Sequence, residues 1–308
     1  MYRLIFLMIA AFFMCAFVQS TGQTVKGDNA KTILWEITGG QCKKPSYLLG
    51  TAHLVEVDWL YEFSQTRKVI DSTEFILTEA FSTDVKDVER QPAGKKLKAV
   101  DIMTSEQYKM VDSFFVARVS EGISDNPEAE NMTVAEMRSA ILSTLTMNIQ
   151  GADGISKFMD LDLFKAFVSR GRQAARLDRI ATTEFDSTSI ADAKSFFAGT
   201  LKLIQGSDKP DWNIYQFKGL DRFNKLYKSM DFDYALDQEN TEAGEPVNEF
   251  DYVTMKKRNQ NWISKIELHM AEKPCLIAVG LNHLRYKTGI ISLLRNLGYS
   301  VEPVTLTK

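Results

Sequence analysis

Two of the chain's three histidines close the same short phrase, YLLGTAHL at 47–54 and IAVGLNHL at 277–284. Each phrase is an apolar run, a glycine, two spacers, histidine and leucine. An apolar run of this length reads as a buried strand, and the glycine after it predicts a sharp turn at unusual backbone angles. A histidine three residues on then points back over the carboxyl edge of a sheet, where open α/β folds bind ligands. Glu79 ends a third apolar run, TEFILTEA (73–80), and stands in the equivalent place. His53, His283 and Glu79 together offer two nitrogens and an oxygen, a donor set for a divalent metal that leaves positions for water and substrate. Taken singly, each has a plainer reading: a satisfied or partly exposed histidine, or for Glu79 a solvated strand end or a partner for a basic helix residue. The recurrence in matching contexts favours the metal reading. The third histidine, His269 in IELHMAEK, lies in a charged helix and is expected at the surface.

The elements that must position these residues come from both ends of the chain. KTILWEITGG (31–40) and PSYLLGTAHL predict two strands joined as a hairpin through GGQCKKP. DWLYEFSQTRKVID (58–71) has helical spacing with Asp58 as N-cap, so strand, helix and TEFILTEA make a βαβ unit with a parallel strand pair. From about 86 to 245 the pattern is mainly helical, with capping boxes at Thr104/Gln107 and Thr133/Glu136. This section is expected to be an elaboration covering the sheet, with RQAARLDRI as a short strand within it. DQENTEAGEPVNEF (237–250) is the clearest loop, and a long helix follows. PCLIAVG (274–280), TGIISLLRNLG (288–298) and YSVEPV (299–304) return to strand, helix and strand. The expected fold is α/β: a central mixed, mostly parallel sheet built from both chain ends, in one domain over 23–308.

Composition narrows the function classes. With 37 basic and 40 acidic side chains the formal charge is −3, which gives no basic footprint for nucleic acid and no polybasic membrane patch. Residues 1–22 pair Arg3 with an apolar run from Leu4 to Val18 and then small polar residues, the pattern of a secretory signal peptide. Export to the periplasm or outside the cell is expected, with membrane attachment only if the leader is uncleaved. Beyond the leader stand Cys42 and Cys275, either one disulfide or two free thiols; spacing does not decide.

Several motifs in order then make the chain, over roughly 32–304, resemble the TraB/GumN family, which includes the Tiki metalloproteases. They are LWEIT with KKPSYLLGTAHL, TEFILTEA, FMDLDLFKAFVSRGRQAARLD, KRNQNW, and the closing CLIAVGLNHLRYKTGIISLLRNLGYSVEPV. The resemblance implies an α/β fold of the kind shared with ChaN-like and erythromycin-esterase-like proteins. It implies that His53, Glu79 and His283 line one site. In the Tiki branch that is a peptidase supported by manganese or cobalt, with zinc a further possibility, acting on a peptide or protein. Arg258 and Asn259 of KRNQNW match the family's Arg-Asn signature, Arg258 facing the site as an anion or carbonyl stabiliser and Asn259 holding geometry. Their plainer reading is a helix C-terminal pair that satisfies neighbouring carbonyls. The chain departs from the family at Leu281 and Asn282, at Asp178 (commonly Glu) and at Arg172 (commonly Lys), none of them a proposed metal ligand. Besides the hydrolase, two other readings stand: a binding protein that sequesters a peptide or haem in the same cleft, and a structural role in envelope biogenesis with a vestigial site.

Overall fold

The computed structural model describes residues 29–84, 96–147, 158–178, 185–206, 220–240 and 255–308. The expected leader at 1–22 and residues 241–250 of the predicted loop lie outside the described residues.

Six strands form one sheet: β1 (Leu34–Gly39), β2 (Ser46–Thr51), β3 (Phe75–Thr78), β4 (Gln173–Arg176), β5 (Cys275–Gly280) and β6 (Tyr299–Pro303), in the order β4-β3-β5-β2-β1-β6. The hairpin forms as expected, with Ile37 opposite Ser46 and positive φ at Gly39 and Gly40 in the turn. β6 pairs antiparallel with β1, whereas β2, β5, β3 and β4 are successively parallel. Five strands therefore run one way and β1 alone runs against them.

One expectation is corrected here. β2 and β3 share a direction but are not paired, because β5 lies between them. β5 is the sequence CLIAVG, buried along almost its whole length, and a strand apolar on both faces belongs at the centre of a parallel sheet. Burying Leu276, Ile277 and Val279 there contributes about 1.5–3 kcal/mol for each side chain. The insertion has a consequence for the site: the two histidine-bearing strands become neighbours, and the Glu79-bearing strand flanks β5 on its other side.

Among the described residues, ten helices accompany this sheet. The predicted helix at 58–71 is two, α1 (Asp58–Tyr61) and α2 (Ser64–Ser72). They are separated at Phe63, whose extended backbone (φ −95°, ψ 125°) breaks the helical path, and Val57 rather than Asp58 holds the N-cap position. Both capping boxes are present, at the starts of α3 (Ser105–Val119) and α5 (Val134–Met147). α4 (Pro127–Asn131) lies between them, α6 (Met159–Val168) packs on β3 and β4, and α7 (Ile190–Gln205) and α8 (Leu220–Ser229) follow. α9 (Met255–Glu272) packs on β5, and α10 (Ile290–Asn296) on α9 and β6.

The helical section does not simply cover the sheet. α3, α5 and α7 bury Val111, Phe114, Met137, Ile141, Phe197 and their neighbours on one another, forming an apolar cluster separate from the sheet core. α6 and α8 instead join the main core through Leu163, Phe167, Phe223 and Tyr227. His269 also departs from expectation: it is half-buried in α9, stacked on Phe75 with ring centroids 4.5 Å apart. Both Cys42 and Cys275 are free thiols. Cys275 is pushed up to about 12, chiefly by burial and further by the nearby Cys42.

Candidate functional site

The four neighbouring parallel strands each deliver a polar residue at their carboxyl ends. His53 follows β2, Glu79 follows β3, Asp178 lies two residues beyond β4, and His283 sits in a 3₁₀ turn (Leu281–Leu284) directly after β5. α9 then lays Arg258, Asn259 and Trp262 across these strand ends, the first and last one helical turn apart on the same face.

Arg258 is the hub. Its Nη2 donates to Glu79 Oε2 at 2.5 Å and to Asp178 Oδ2 at 2.6 Å, its Nε donates to Asp178 Oδ1 at 3.1 Å, and its Nη1 meets His283 Nε2 at 3.2 Å. Trp262 Nε1 shares the other load on Asp178, donating to Oδ1 at 2.9 Å. The Trp262 ring lies under the guanidinium, 4.8 Å from it, and 4.4 Å from the His283 ring. Glu79 is anchored from its other side, where Oε1 accepts the Gly280 N–H at 2.7 Å.

The tautomer of His283 follows from its neighbours. Asn259 Nδ2 points at two carbonyl oxygens, Thr288 O at 2.8 Å and His283 O at 3.4 Å, which can only accept. Asn259 Oδ1 therefore faces His283 Nδ1, 2.6 Å away, and that ring nitrogen carries the proton. In the neutral ring the lone pair is then on Nε2, which faces Arg258 Nη1 at 3.2 Å. His53 is held in the same way, with Nδ1 2.9 Å from Asp160 Oδ1. Asp160 is buried in the first turn of α6, where the helix terminus favours an anion, and the neighbouring Met159 N–H ties back to His53 O at 3.0 Å.

Electrostatics make this one site. Burial raises the Glu79 pKa, but His283, Arg258 and His53 together outweigh it and hold the carboxyl well below the usual range. Burial pulls His53 down, yet the Asp160 hydrogen bond and charge, with Glu79 beyond, raise it to about 9. Burial also works against the Arg258 charge, and Glu79 and Asp178 more than compensate, so its pKa moves up.

The glycines act differently from the sequence expectation. Gly280 has a φ of −52°, and neither Gly50 nor Gly280 has positive φ. Both are needed for close approach. A Cβ on Gly50 would lie 2.8 Å from Leu281 Cδ1 and 3.3 Å from Leu281 Cα, so the His283 turn could not seat against β2. A Cβ on Gly280 would come within 3.2 Å of Glu79 Oε1, crowding the carboxylate that its N–H binds.

All five predicted site residues gather at this edge: His53, Glu79, His283, Arg258 and Asn259. Arg258 and Asn259 lie near the start of α9 and not at a helix C-terminus as their plainer reading had it, although Asn259 does satisfy carbonyls, those of His283 and Thr288, and orients His283 as well. Arg258 grips carboxylates instead. Asp160, Asp178 and Trp262 were not among the predicted site residues. Asp178 had a signal, an acid just past a short strand as Glu79 is, and Trp262 stands at i+4 from Arg258. Asp160 had none beyond its place in the motif-bearing segment.

The donor set fits a divalent ion in type. Asp160 and Asn259 engage Nδ1 of the two imidazoles, which leaves Nε2 as the nitrogen for a metal once it is unprotonated, and Glu79 Oε2 lies 3.5 Å from His283 Nε2. Among the described residues no group of three or more His, Cys, Asp or Glu closes on one point as a metal cage. The Arg258 guanidinium contacts Glu79, Asp178 and His283 at this edge.

Compared with known families, residues 33–303 match the profile of the TraB/PrgY/gumN family. No curated protein and no solved structure gives a match.

Proposed function

The chain belongs to the TraB/PrgY/gumN family, and on that premise we propose that it is an exported, divalent-metal-dependent hydrolase that cleaves peptides. The observation that carries this reading is the convergence of His53, Glu79 and His283 on one sheet edge with both imidazoles fixed through Nδ1.

His53 Nε2, His283 Nε2 and Glu79 Oε2 would hold the ion, manganese or cobalt first and zinc next. Such an ion polarises a scissile carbonyl and acidifies a bound water. The protein's own groups do the rest. Glu79, ionised at neutral pH, either ligates or takes a proton on Oε2, while Gly280 N–H fixes its other oxygen. Arg258, clamped by Asp178, presents N–H groups to a developing oxyanion without reorganising. Asn259 holds the neutral His283 ring with its lone pair on Nε2, and Asp160 engages His53 Nδ1, so that His53 Nε2 would give up its proton before serving as a ligand.

The test is purified mature protein, stripped of metal and assayed on a peptide library with and without added manganese or cobalt. Metal-restored cleavage, lost in His53→Ala and His283→Ala, is expected. No cleavage, or both variants behaving as wild type, overturns the proposal. A second reading, a binding protein that sequesters a peptide or haem, draws on one observation: Arg258 already satisfies Glu79 and His283 with no metal required. It predicts capture without turnover, read by mass spectrometry of bound peptide or by a Soret band.

A further inference from the structure

We propose that Trp262 is a positioning residue of this site, a single indole that orients Asp178, the Arg258 guanidinium and the His283 ring together. Its kinetic consequence rests on the hydrolase reading above; the alignment itself does not.

Trp262 is 1% exposed and stands one helical turn after Arg258 on α9. It meets three site residues through different features of one ring system. Nε1–H donates to Asp178 Oδ1 at 2.9 Å, the ring lies 4.8 Å from the Arg258 guanidinium, and the His283 ring is 4.4 Å away at a tilt of 36°. An indole pairs the strongest aromatic face for a cation with an N–H at its edge. Phenylalanine has a face without the donor, and tyrosine carries its donor at the far end of a smaller ring. Three residues further on, the Lys265 ammonium donates to Arg176 O, so the stripe of Arg258, Trp262 and Lys265 fastens α9 along the end of β4.

Asp178 is where that anchoring matters. Its main chain continues the β3–β4 pairing beyond the strands, with Leu177 N–H donating to Thr78 O at 2.8 Å and Asp178 N–H to Glu79 O at 3.1 Å. Those bonds set the two acidic residues side by side. They do not fix the torsions of the Asp178 carboxylate, which is 30% exposed. Among the described residues two side chains hold that carboxylate, Arg258 and Trp262. It takes Arg258 Nε at 3.1 Å and Nη2 at 2.6 Å, a fork that sets the plane of the guanidinium. In that plane Nη2 also reaches Glu79 Oε2 at 2.5 Å and Nη1 meets His283 Nε2 at 3.2 Å. Orientation thus passes from the indole to Asp178, to Arg258, and on to Glu79 and His283.

Trp262→Phe separates this role from packing, because it keeps a buried aromatic ring and deletes the N–H. Nitrogen NMR of arginine side chains reads the alignment without any substrate. Arg258 Nε–H, held by Asp178 in the wild type, should exchange with water on the order of tenfold faster in Trp262→Phe, the scale set by one hydrogen bond to a charged group. On a peptide that the wild type cleaves, kcat should fall by a similar factor at nearly unchanged KM. In an Asp178→Ala background the same substitution should change kcat by less than about twofold, since the bond it removes is already gone. Circular dichroism checks folding. If Trp262→Phe does not fold, Asp178→Ala tests the same bond from its other end, and the Trp262 Nε1–H should exchange at least about tenfold faster than in wild type.

Unchanged exchange of Arg258 Nε–H in Trp262→Phe, or of Trp262 Nε1–H in Asp178→Ala, overturns the proposal and leaves the hydrolase reading standing. A kcat loss of the same size with and without Asp178 overturns it as well. Faster exchange in Trp262→Phe with no peptide cleaved by the wild type supports the positioning role and removes the hydrolase.

Discussion

Asn259→Ala should be among the most costly single changes at the site, although Asn259 is not itself placed to touch a substrate. The side chain is 1% exposed and joins three groups: it accepts from His283 Nδ1–H at 2.6 Å and donates to Thr288 O at 2.8 Å and His283 O at 3.4 Å. Truncation orphans one buried donor and at least one buried acceptor. Each costs about 1–3 kcal/mol when left unpaired, so a loss of about 3 kcal/mol or more is expected, before any cavity term. For a domain of this size that lowers the melting temperature by roughly 6–12 °C. Asn259→Asp separates stability from tautomer. It keeps the acceptor for His283 but sets an oxygen against the Thr288 carbonyl, so it should also destabilise by more than about 1 kcal/mol. The assays are urea unfolding and nitrogen NMR of labelled histidine in the wild type, where His283 should show Nδ1 protonated and Nε2 bare. Wild-type stability in Asn259→Asp, or an Nε2–H tautomer for His283, would refute the amide orientation and with it the lone pair assigned to the site.

Gly50→Ala should destabilise the fold by about 1–3 kcal/mol, because the new Cβ meets Leu281 Cα at 3.3 Å and backbone cannot yield as a side-chain tip can. Denaturant unfolding reads this, and an unchanged midpoint would show that the His283 turn does not need that close approach. His269→Phe should make the protein more tolerant of acid. Burial, then Lys265, depresses the His269 pKa in the folded state below its ordinary 6.5, so the unfolded chain takes up a proton there first. Stability from this group is complete above about pH 6.5 and is lost as pH falls through the lower, folded-state value. The wild type should therefore lose more stability than His269→Phe on moving from neutral into that acidic window. Parallel curves, or an NMR titration of His269 at or above its ordinary value, would contradict the stacked, half-buried placement on Phe75.

What could be read from sequence, and what could not, divides along physical lines. Strands, capping boxes and the hairpin are written in local patterns, such as Thr104 with Gln107 or the two glycines at 39 and 40, and the structure contains them all. Strand order is not local. Nothing between 46 and 78 shows that residues 275–280 will lie between β2 and β3; only the all-apolar character of CLIAVG hints at a central place. Phe63 breaks a helix whose apolar spacing is near-continuous: its backbone is extended there while its side chain is buried in the main core. The self-contained cluster of α3, α5 and α7 was equally hidden, since an amphipathic helix does not declare which partner its apolar face will meet.

The repeated phrase is the clearest case, because it predicts the right residues for a reason that is only half right. If YLLGTAHL and IAVGLNHL were structural copies, Gly50 would align with Gly280. The parallel pairing of β2 with β5 instead sets Gly50 beside Val279 and Thr51 beside Gly280, a shift of one residue. That shift gives the glycines separate duties. Gly50, inside its strand, clears room for the turn that carries His283, and Gly280, ending its strand, gives its N–H and its missing side chain to Glu79. The histidines diverge in the same way, one braced by the carboxylate of Asp160 and half open to solvent, the other by the amide of Asn259 and buried. The Asp160 carboxylate raises the His53 pKa, whereas the Asn259 amide fixes the His283 ring with Nε2 toward Arg258. The asymmetry puts Arg258 on the Glu79 and His283 side of the site, and leaves His53 to Asp160.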